Sequence, residues 1–214
     1  MMWSVHSALA QVREIHRHVV EKQRFKGYSG RARALAGTLA LVVGLVLSRF
    51  PERSDSVTLV AWTLVAVLGV LINYGAVLVW YLREPNENRG LDRLRPAAEA
   101  LPTLLVGALL TFVFWRTHLD NMMPPIWMLL FGLANWNSRR SLPSGAGWVG
   151  VYYLVSGLVV SLVPAWRGLQ NPWPMTLVFF FGEWVGAVLF HCCDRPLRTW
   201  PTLFGLRPLA SRHE

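Results

Sequence analysis

Few side chains in the apolar segments of this 214-residue sequence could take part in chemistry. The most informative is Glu183, which interrupts the apolar and aromatic run FFFGEWVGAVLFHCCD at residues 179–194. A charge near the centre of a bilayer costs at least about 2.5–3.5 kcal/mol on insertion scales, so it is expected to face a bundle interior, a wet cavity or a partner. Glu183 is therefore the first candidate for a functional residue.

Two hypotheses account for this glutamate. Desolvation disfavours the ionised carboxylate, so Glu183 could titrate near neutral pH and carry a proton or pair with a cationic substrate. Alternatively, Glu183 is protonated and hydrogen-bonded to a neighbouring helix, or its span lies shallower than the apolar pattern indicates. The first hypothesis gives the residue a function and the second makes it structural.

Three other polar residues join Glu183 as a candidate intramembrane polar site. They are Asn73 in the second apolar segment, Asn135 at the end of the fourth and His191 at the end of the sixth. Asn73 is typical of asparagines that hydrogen-bond between membrane helices. The pattern thus predicts a small set of polar groups inside an otherwise apolar bundle.

The segment FHCCD at 190–194 contains three residue types that bind metals. Its spacing does not favour a metal site, because adjacent cysteines on a helix point about 100° apart. His191 and Asp194, at i and i+3, are expected to pair instead. The chain also lacks a serine elbow, a phosphate-binding glycine loop and a kinase signature. We therefore predict no metal, no cofactor and no enzymatic activity.

The composition indicates that these residues are held by membrane helices. Hydrophobic residues make up 53% of the chain and charged residues 15%, whereas charge is about 25% in a typical soluble domain. The apolar residues form six segments, five of which reach or approach the ~17–25 residues that cross a bilayer. The segments are 34–50, 57–82, 98–115, 122–136, 146–166 and 173–191. The predicted fold is all-α, a polytopic membrane protein with six transmembrane helices.

The number of transmembrane helices depends on whether the fourth segment crosses the membrane. Its 15 residues cover only about 22 Å of a hydrocarbon core about 30 Å thick. If it crosses, seventeen of the 21 Lys and Arg residues lie on one side; if it is re-entrant, the division is twelve against nine. Short cytoplasmic loops collect Lys and Arg. The larger asymmetry predicts six crossings with both termini in the cytoplasm, and it counts Arg33 among the loop charges before the first span.

Small residues predict close helix contacts. Ala32, Ala36, Ala40 and Gly44 recur every fourth residue in the first span, and Gly182 and Gly186 flank Glu183 in the sixth. Such rows let neighbouring helices approach each other. Both patterns are expected to lie at helix contacts inside one bundle.

Residues 3–24 are predicted to form a basic amphipathic helix. It is expected to lie on the anionic inner leaflet or against the bundle, or alternatively to bind a cytosolic protein partner. The predicted organisation is a cytoplasmic helix and linker at 1–30, a bundle at 31–194 and a basic cytoplasmic tail at 195–214. Cytoplasmic loops account for most of the net charge of +9, and no reading motif indicates nucleic-acid binding.

Three stretches carry a family resemblance. They are FGLANWNSRRSLPSGAGWVGVYYLVSGLVVSLVP at 131–164, REIHRHVVEKQRFKGYSGRARALAG at 13–37 and RLRPAAEALPTLLVGALLTFVF at 93–114. All three resemble a group of small six-span bacterial membrane proteins with no assigned activity. The resemblance implies a six-span topology in the bacterial cytoplasmic membrane and no particular reaction. The sixth span, with Glu183, departs most from the group's pattern.

Two functions are consistent with these features. The first is a non-enzymatic membrane component that senses, regulates, or binds a lipid or small hydrophobic ligand. The alternative is a small proton-coupled transporter or channel that uses Glu183 with Asn73 or Asn135. The lipid bilayer is a partner in either case, and the pattern leaves open a homo-oligomer.

Overall fold

The computed structural model describes residues 29–83, 94–140, 142 and 145–194; the side chains of residues 95, 96, 140 and 192–194 are outside this description. The described chain is all-helical, which confirms the predicted all-α class. The predicted amphipathic helix at 3–24 and the tail at 195–214 lie outside the described residues.

Six helices of 15 residues or more make up the described part of the chain. They are α1 (Gly30–Ser48), α2 (Asp55–Arg83), α3 (Leu101–Arg116), α4 (Met123–Asn137), α5 (Ala146–Leu162) and α6 (Trp173–Asp194). The connections include a one-turn helix, Arg95–Ala98, and three 3-10 turns, Asp120–Met122, Ser138–Arg140 and Pro164–Trp166. Three segments, Gly30–Ser48, Asp55–Arg83 and Trp173–His191, are long and apolar enough to cross a membrane.

The first helix begins earlier than its apolar pattern indicates. The pattern starts near residue 34, whereas α1 begins at Gly30 and places Arg33 in its first turn, 6% exposed. A cation near a helix N-terminus is disfavoured by the helix dipole, typically by about 0.3–1 kcal/mol. The interpretation of Arg33 as a loop charge is therefore wrong, and the reason is a buried anion that the helix meets on α6.

Helices α1 and α6 pack closely because glycines of α1 place no side chain at the contact. A Cβ on Gly30 would lie 2.6 Å from the carbonyl oxygen of Ala187, and a Cβ on Gly37 would lie 2.8 Å from the Cβ of Glu183. A Cβ on Gly44 would overlap the side chain of Thr176. These glycines recur every seventh residue, so they follow one face of the helix over two heptads.

The predicted row of small residues lies at helix contacts, as expected, but its members face two different neighbours. Gly44 does lie at a helix contact, as predicted, and Ala32 and Ala40 are buried. The Cβ of Ala36, however, lies 3.8 Å from the Cβ position of Gly69, so Ala36 faces α2 rather than α6. The face that approaches α6 most closely is the glycine row at 30, 37 and 44.

The main apolar core lies between α1, α2, α4, α5 and α6. Its buried members are Ala40, Leu47, Trp62, Met128, Val160 and Met175. Met128 of α4 is fully buried there. Pro124 and Pro125 lie in the first turn of α4, where a backbone N–H would have no partner within the helix. The prolines therefore let α4 begin in a buried position.

Arg53 ties the other end of α1 to the loop before α6. Its guanidinium donates to the carbonyl oxygens of Leu47 and Phe50 at 2.8 and 3.0 Å, which satisfies the C-terminal end of α1. It also donates to the carbonyl oxygens of Leu169 and Gln170, at 3.3 and 2.7 Å. We call this side of the bundle the Arg53 end and the opposite side the Arg33 end.

The packing of α1 on α6 predicts a difference between two glycine substitutions. Gly44→Ala places a methyl group on Thr176 and should destabilise the protein by about 1–3 kcal/mol, the usual effect of overpacking. Gly75→Ala meets nothing within 4 Å and should be neutral or stabilising by up to about 1 kcal/mol, since alanine favours helix. Thermal unfolding of the purified variants in detergent checks this, and equal stability of the two variants would contradict the packing.

Candidate functional site

The site is built around Glu183, which lies halfway along α6 and is 4% exposed. Glycines on either side make room for its partners. A Cβ on Gly182 would overlap the phenol of Tyr153, and a Cβ on Gly186 would lie 2.7 Å from Nε of Arg33. The Gly182 and Gly186 pair therefore accommodates two side chains, one from α5 and one from α1, next to the carboxylate.

Arg33 and Glu183 form a two-point ion pair. The arginine Nη2 donates to Oε1 of Glu183 at 2.7 Å, and Nε donates to Oε2 at 3.2 Å. Planar arginine–carboxylate pairs of this kind are among the strongest side-chain hydrogen bonds in proteins. Both charges are compensated within one contact between the first and last helices of the described chain.

Two further helices contribute to the same network. Asn135, in the last turn of α4, accepts a hydrogen bond from Nη1 of Arg33 at 3.1 Å. Its own amide nitrogen donates to the carbonyl oxygen of Phe131 at 2.9 Å, which orients the side-chain oxygen toward the guanidinium. Tyr153 of α5 donates from its hydroxyl to Oε1 of Glu183 at 3.2 Å. The network thus links α1, α4, α5 and α6.

Aromatic rings enclose the network. The rings of Phe131, Tyr153 and Phe179 lie edge to face or tilted, with centroids 4.9–5.5 Å apart. At the Arg33 end, the ring of Phe190 lies 5.3 Å from the guanidinium carbon of Arg33, within the range of a cation–π contact. Low dielectric surroundings strengthen the ion pair and make loss of either partner costly.

The structure brings together two of the four sequence-predicted site residues. Glu183 and Asn135 are linked through Arg33. Asn73 lies on α2, where its amide donates to the carbonyl oxygen of Gly69 in its own helix at 2.9 Å. His191 lies beyond the pair on α6, with its backbone beside Gly30 at the start of α1. The predicted polar site is thus centred on Glu183 and Asn135.

The sequence reading missed Arg33 and Tyr153, and each had a signal. Arg33 stands in a stretch rich in alanine and glycine, where a helix can begin before the apolar run. Tyr153 lies inside the fifth apolar segment, although membrane tyrosines concentrate at the interfaces. A buried anion needs a cation or hydrogen-bond donors, and Arg33 and Tyr153 supply them to Glu183.

The geometry leaves the Glu183 carboxylate little freedom to move. Oε1 accepts two hydrogen bonds and Oε2 accepts one, so the carboxylate is held from α1 and α5 at once. The hypothesis of a protonated glutamate bonded to a neighbouring helix identifies the correct contact, helix to helix, but not the guanidinium that supplies it.

Metal-binding groups are not assembled in the part of the chain that the structure describes. Among those residues, no three His, Cys, Asp or Glu side chains are close enough to hold one ion. Cys192, Cys193 and Asp194 have side chains outside the described set, so the predicted pairing of His191 with Asp194 stays a prediction.

A double-mutant cycle tests the ion pair. Glu183→Gln and Arg33→Gln should each lower the free energy of unfolding by about 3–5 kcal/mol, because each leaves one charge buried without its partner. The double variant should lose less than the sum, with a coupling energy of about 0.5–3 kcal/mol. The measurement is reversible unfolding in mixed micelles.

The matched control is Glu52→Gln, at an exposed glutamate in the α1–α2 connection. It should change stability by no more than about 0.5 kcal/mol. Strictly additive effects of the Arg33 and Glu183 substitutions would show that the two side chains do not interact.

Comparisons with protein-family models, with curated proteins and with solved structures found no match to this chain. Its function is therefore inferred from the contacts of the site. These contacts describe a closed ion-pair network at the junction of four helices.

Proposed function

We propose that this protein is a non-enzymatic component of the bacterial cytoplasmic membrane, with six spans and both termini in the cytoplasm. In this proposal the Arg33–Glu183 pair holds the bundle together, and the protein acts by sensing, regulating or binding a hydrophobic ligand. The observation that carries the proposal is the bidentate pair itself, 2.7 and 3.2 Å long and closed by Asn135 and Tyr153.

The length of α4, taken with its flanking 3-10 turns, supports six spans. Helix α4 has 15 residues and is continued by a three-residue 3-10 turn at each end. Helix α4 alone extends about 22 Å at 1.5 Å per residue, and turns that follow its axis would lengthen the segment 120–140 to about 34 Å, against a hydrocarbon core of about 30 Å. A crossing α4 also keeps the charge asymmetry of the loops. With Arg33 assigned to the bundle, sixteen Lys and Arg residues lie on the proposed cytoplasmic side and four on the other.

The bonding of Glu183 favours a structural role over proton transport. A proton carrier must exchange its proton with both sides of the membrane, whereas this carboxylate is 4% exposed and accepts three hydrogen bonds. In this position the carboxylate is the counter-ion of the buried Arg33 guanidinium. The network is therefore better suited to fixing helix positions than to cycling a proton.

The partner-facing element of this proposal is the predicted amphipathic helix at 3–24. It precedes α1 by a few residues, and α1 carries Arg33 in its first turn. A cytosolic protein that binds this helix would act next to the network. Regulation of the bundle from the cytoplasm is therefore the role we assign to the N-terminal segment.

Cysteine labelling tests the topology. In a protein whose Cys192 and Cys193 are replaced by serine, Thr117→Cys at the end of α3 should react with a membrane-impermeant maleimide added to spheroplasts. Asn137→Cys at the end of α4 should react only after the membrane is permeabilised. Labelling of both sites from outside would show that α4 is re-entrant and would reject the six-span arrangement.

Proton flux tests the role of Glu183. Liposomes containing the wild-type protein and a pH-sensitive dye should acidify no faster than empty liposomes after an imposed pH gradient, since the pair offers no free proton site. Glu183→Gln and the Arg33→Gln, Glu183→Gln double variant should behave in the same way. A wild-type flux that both variants abolish, with the double variant still folded by circular dichroism, would instead establish the transporter function.

A further inference from the structure

An apolar groove runs between α2 and α3 at the Arg53 end. Its volume is about 320 Å³, and its walls include Val60, Thr63 and Leu64 of α2 and Ala108, Phe112 and Trp115 of α3. The hydroxyl of Thr111, also in the wall, donates to the carbonyl oxygen of Gly107 and accepts from Nε1 of Trp127. Because the hydroxyl of Thr111 is already hydrogen-bonded within the protein, it needs no polar partner in the groove. The groove therefore suits an apolar occupant.

The size of the groove favours the thinner of two occupants, a hydrocarbon chain rather than a helix. A helix with its side chains is about 10–12 Å across, so 320 Å³ would hold less than one turn of a helix from a second copy. A hydrocarbon chain is much thinner. The groove therefore has room for several methylene groups of such a chain.

A cation, Arg116, follows the groove-lining residues along α3. Ala108, Phe112 and Arg116 are spaced i, i+4 and i+8 on α3, so Arg116 continues the row of residues that lines the groove. Arg116 is exposed, and within the described residues its side chain has no hydrogen-bond or ion-pair partner. At the same end of the bundle, the carboxylate of Asp55 at the start of α2 accepts a hydrogen bond from Gln170. Arg116 is thus available to an anion from the lipid.

We propose that this groove binds an anionic phospholipid, with one acyl chain between α2 and α3 and the phosphate at Arg116. The proposal rests on the proposed six-span arrangement, which places Arg116 in the outer leaflet, and it names the ligand class of the proposed hydrophobic-ligand function. Trp115, 51% exposed beside Arg116, lies where tryptophans anchor helices at the headgroup level. An apolar groove lined by Trp115 and followed along α3 by a cation matches an acyl chain that ends in a phosphate.

Native mass spectrometry of the purified protein tests the site, with phosphatidylglycerol and phosphatidylethanolamine titrated in turn. We expect phosphatidylglycerol to bind preferentially with one strongly retained molecule per chain. Arg116→Gln should weaken its binding about fivefold, the effect of removing one cation near an anionic lipid surface. Ala108→Trp or Val60→Trp, which fill the groove from opposite walls, should abolish the retained molecule.

Two matched variants serve as controls. Arg49→Gln removes an exposed cation at the end of α1, on the same side of the bundle, and Val155→Trp adds the same side chain on the exposed face of α5. Neither should change lipid retention. Equal weakening by Arg49→Gln and Arg116→Gln would reduce the binding to diffuse charge attraction, and full retention in both groove-filling variants would reject the groove.

The outcome is separate from the role of the ion pair. None of these substitutions touches Arg33 or Glu183, so loss of lipid retention leaves the double-mutant cycle unchanged. Conversely, a proton flux through Glu183 would reject the proposed structural role without removing the lipid. Binding of both lipids with equal affinity and no effect of any variant would show annular lipid alone.

Discussion

A carboxylate buried among apolar helices has to be compensated by donors or a cation, and this requirement organises the bundle. Glu183 meets it with the guanidinium of Arg33 and the hydroxyl of Tyr153. Because a bidentate pair tolerates little misplacement, α1, α5 and α6 are fixed relative to one another. Asn135 adds α4 through the third guanidinium nitrogen. The arrangement of four helices therefore depends on the charges of two residues.

Helix α1 is held to α6 at the Arg33 end, and Arg53 holds its other end to the loop before α6. At the Arg33 end the contact is the ion pair, and at the Arg53 end it is a set of bonds from Arg53 to the backbone around Gln170. Between them, glycines let the helices approach. Arg33 and Glu183 are 150 residues apart, so the pair cannot form until α6 has been made. The contact between α1 and α6 can therefore form only after α6 has been synthesised.

Helices α2 and α3 have a different character. Of the 29 residues of α2, Thr58, Trp62 and Val77 are buried, and α3 buries Thr103. Tyr74 fastens α2 to the one-turn helix before α3, by a hydrogen bond to the carbonyl oxygen of Ala97 at 2.8 Å. In a membrane these exposed apolar faces meet lipid at no cost, since acyl chains are as apolar as leucine. The specific packing lies in α1, α4, α5 and α6, whereas α2 and α3 keep most of their apolar surface exposed.

The sequence by itself determined that the chain is helical and apolar, because hydrophobic composition and segment length follow from local residue order. It also identified Glu183 and Asn135, since polar residues stand out in apolar runs. The partner of Glu183 was not identified, because Arg33 lies at the mouth of the first apolar run, where loop charges normally collect. Two rows of small residues on α1 allow close approach, the alanines at every fourth position and the glycines at every seventh. Which row contacts α6 depends on the shape of that neighbouring helix, so the sequence of α1 did not decide it. Which cation meets which anion across 150 residues was decided by the tertiary structure, because helix pairing depends on side-chain fit between segments that the sequence keeps far apart.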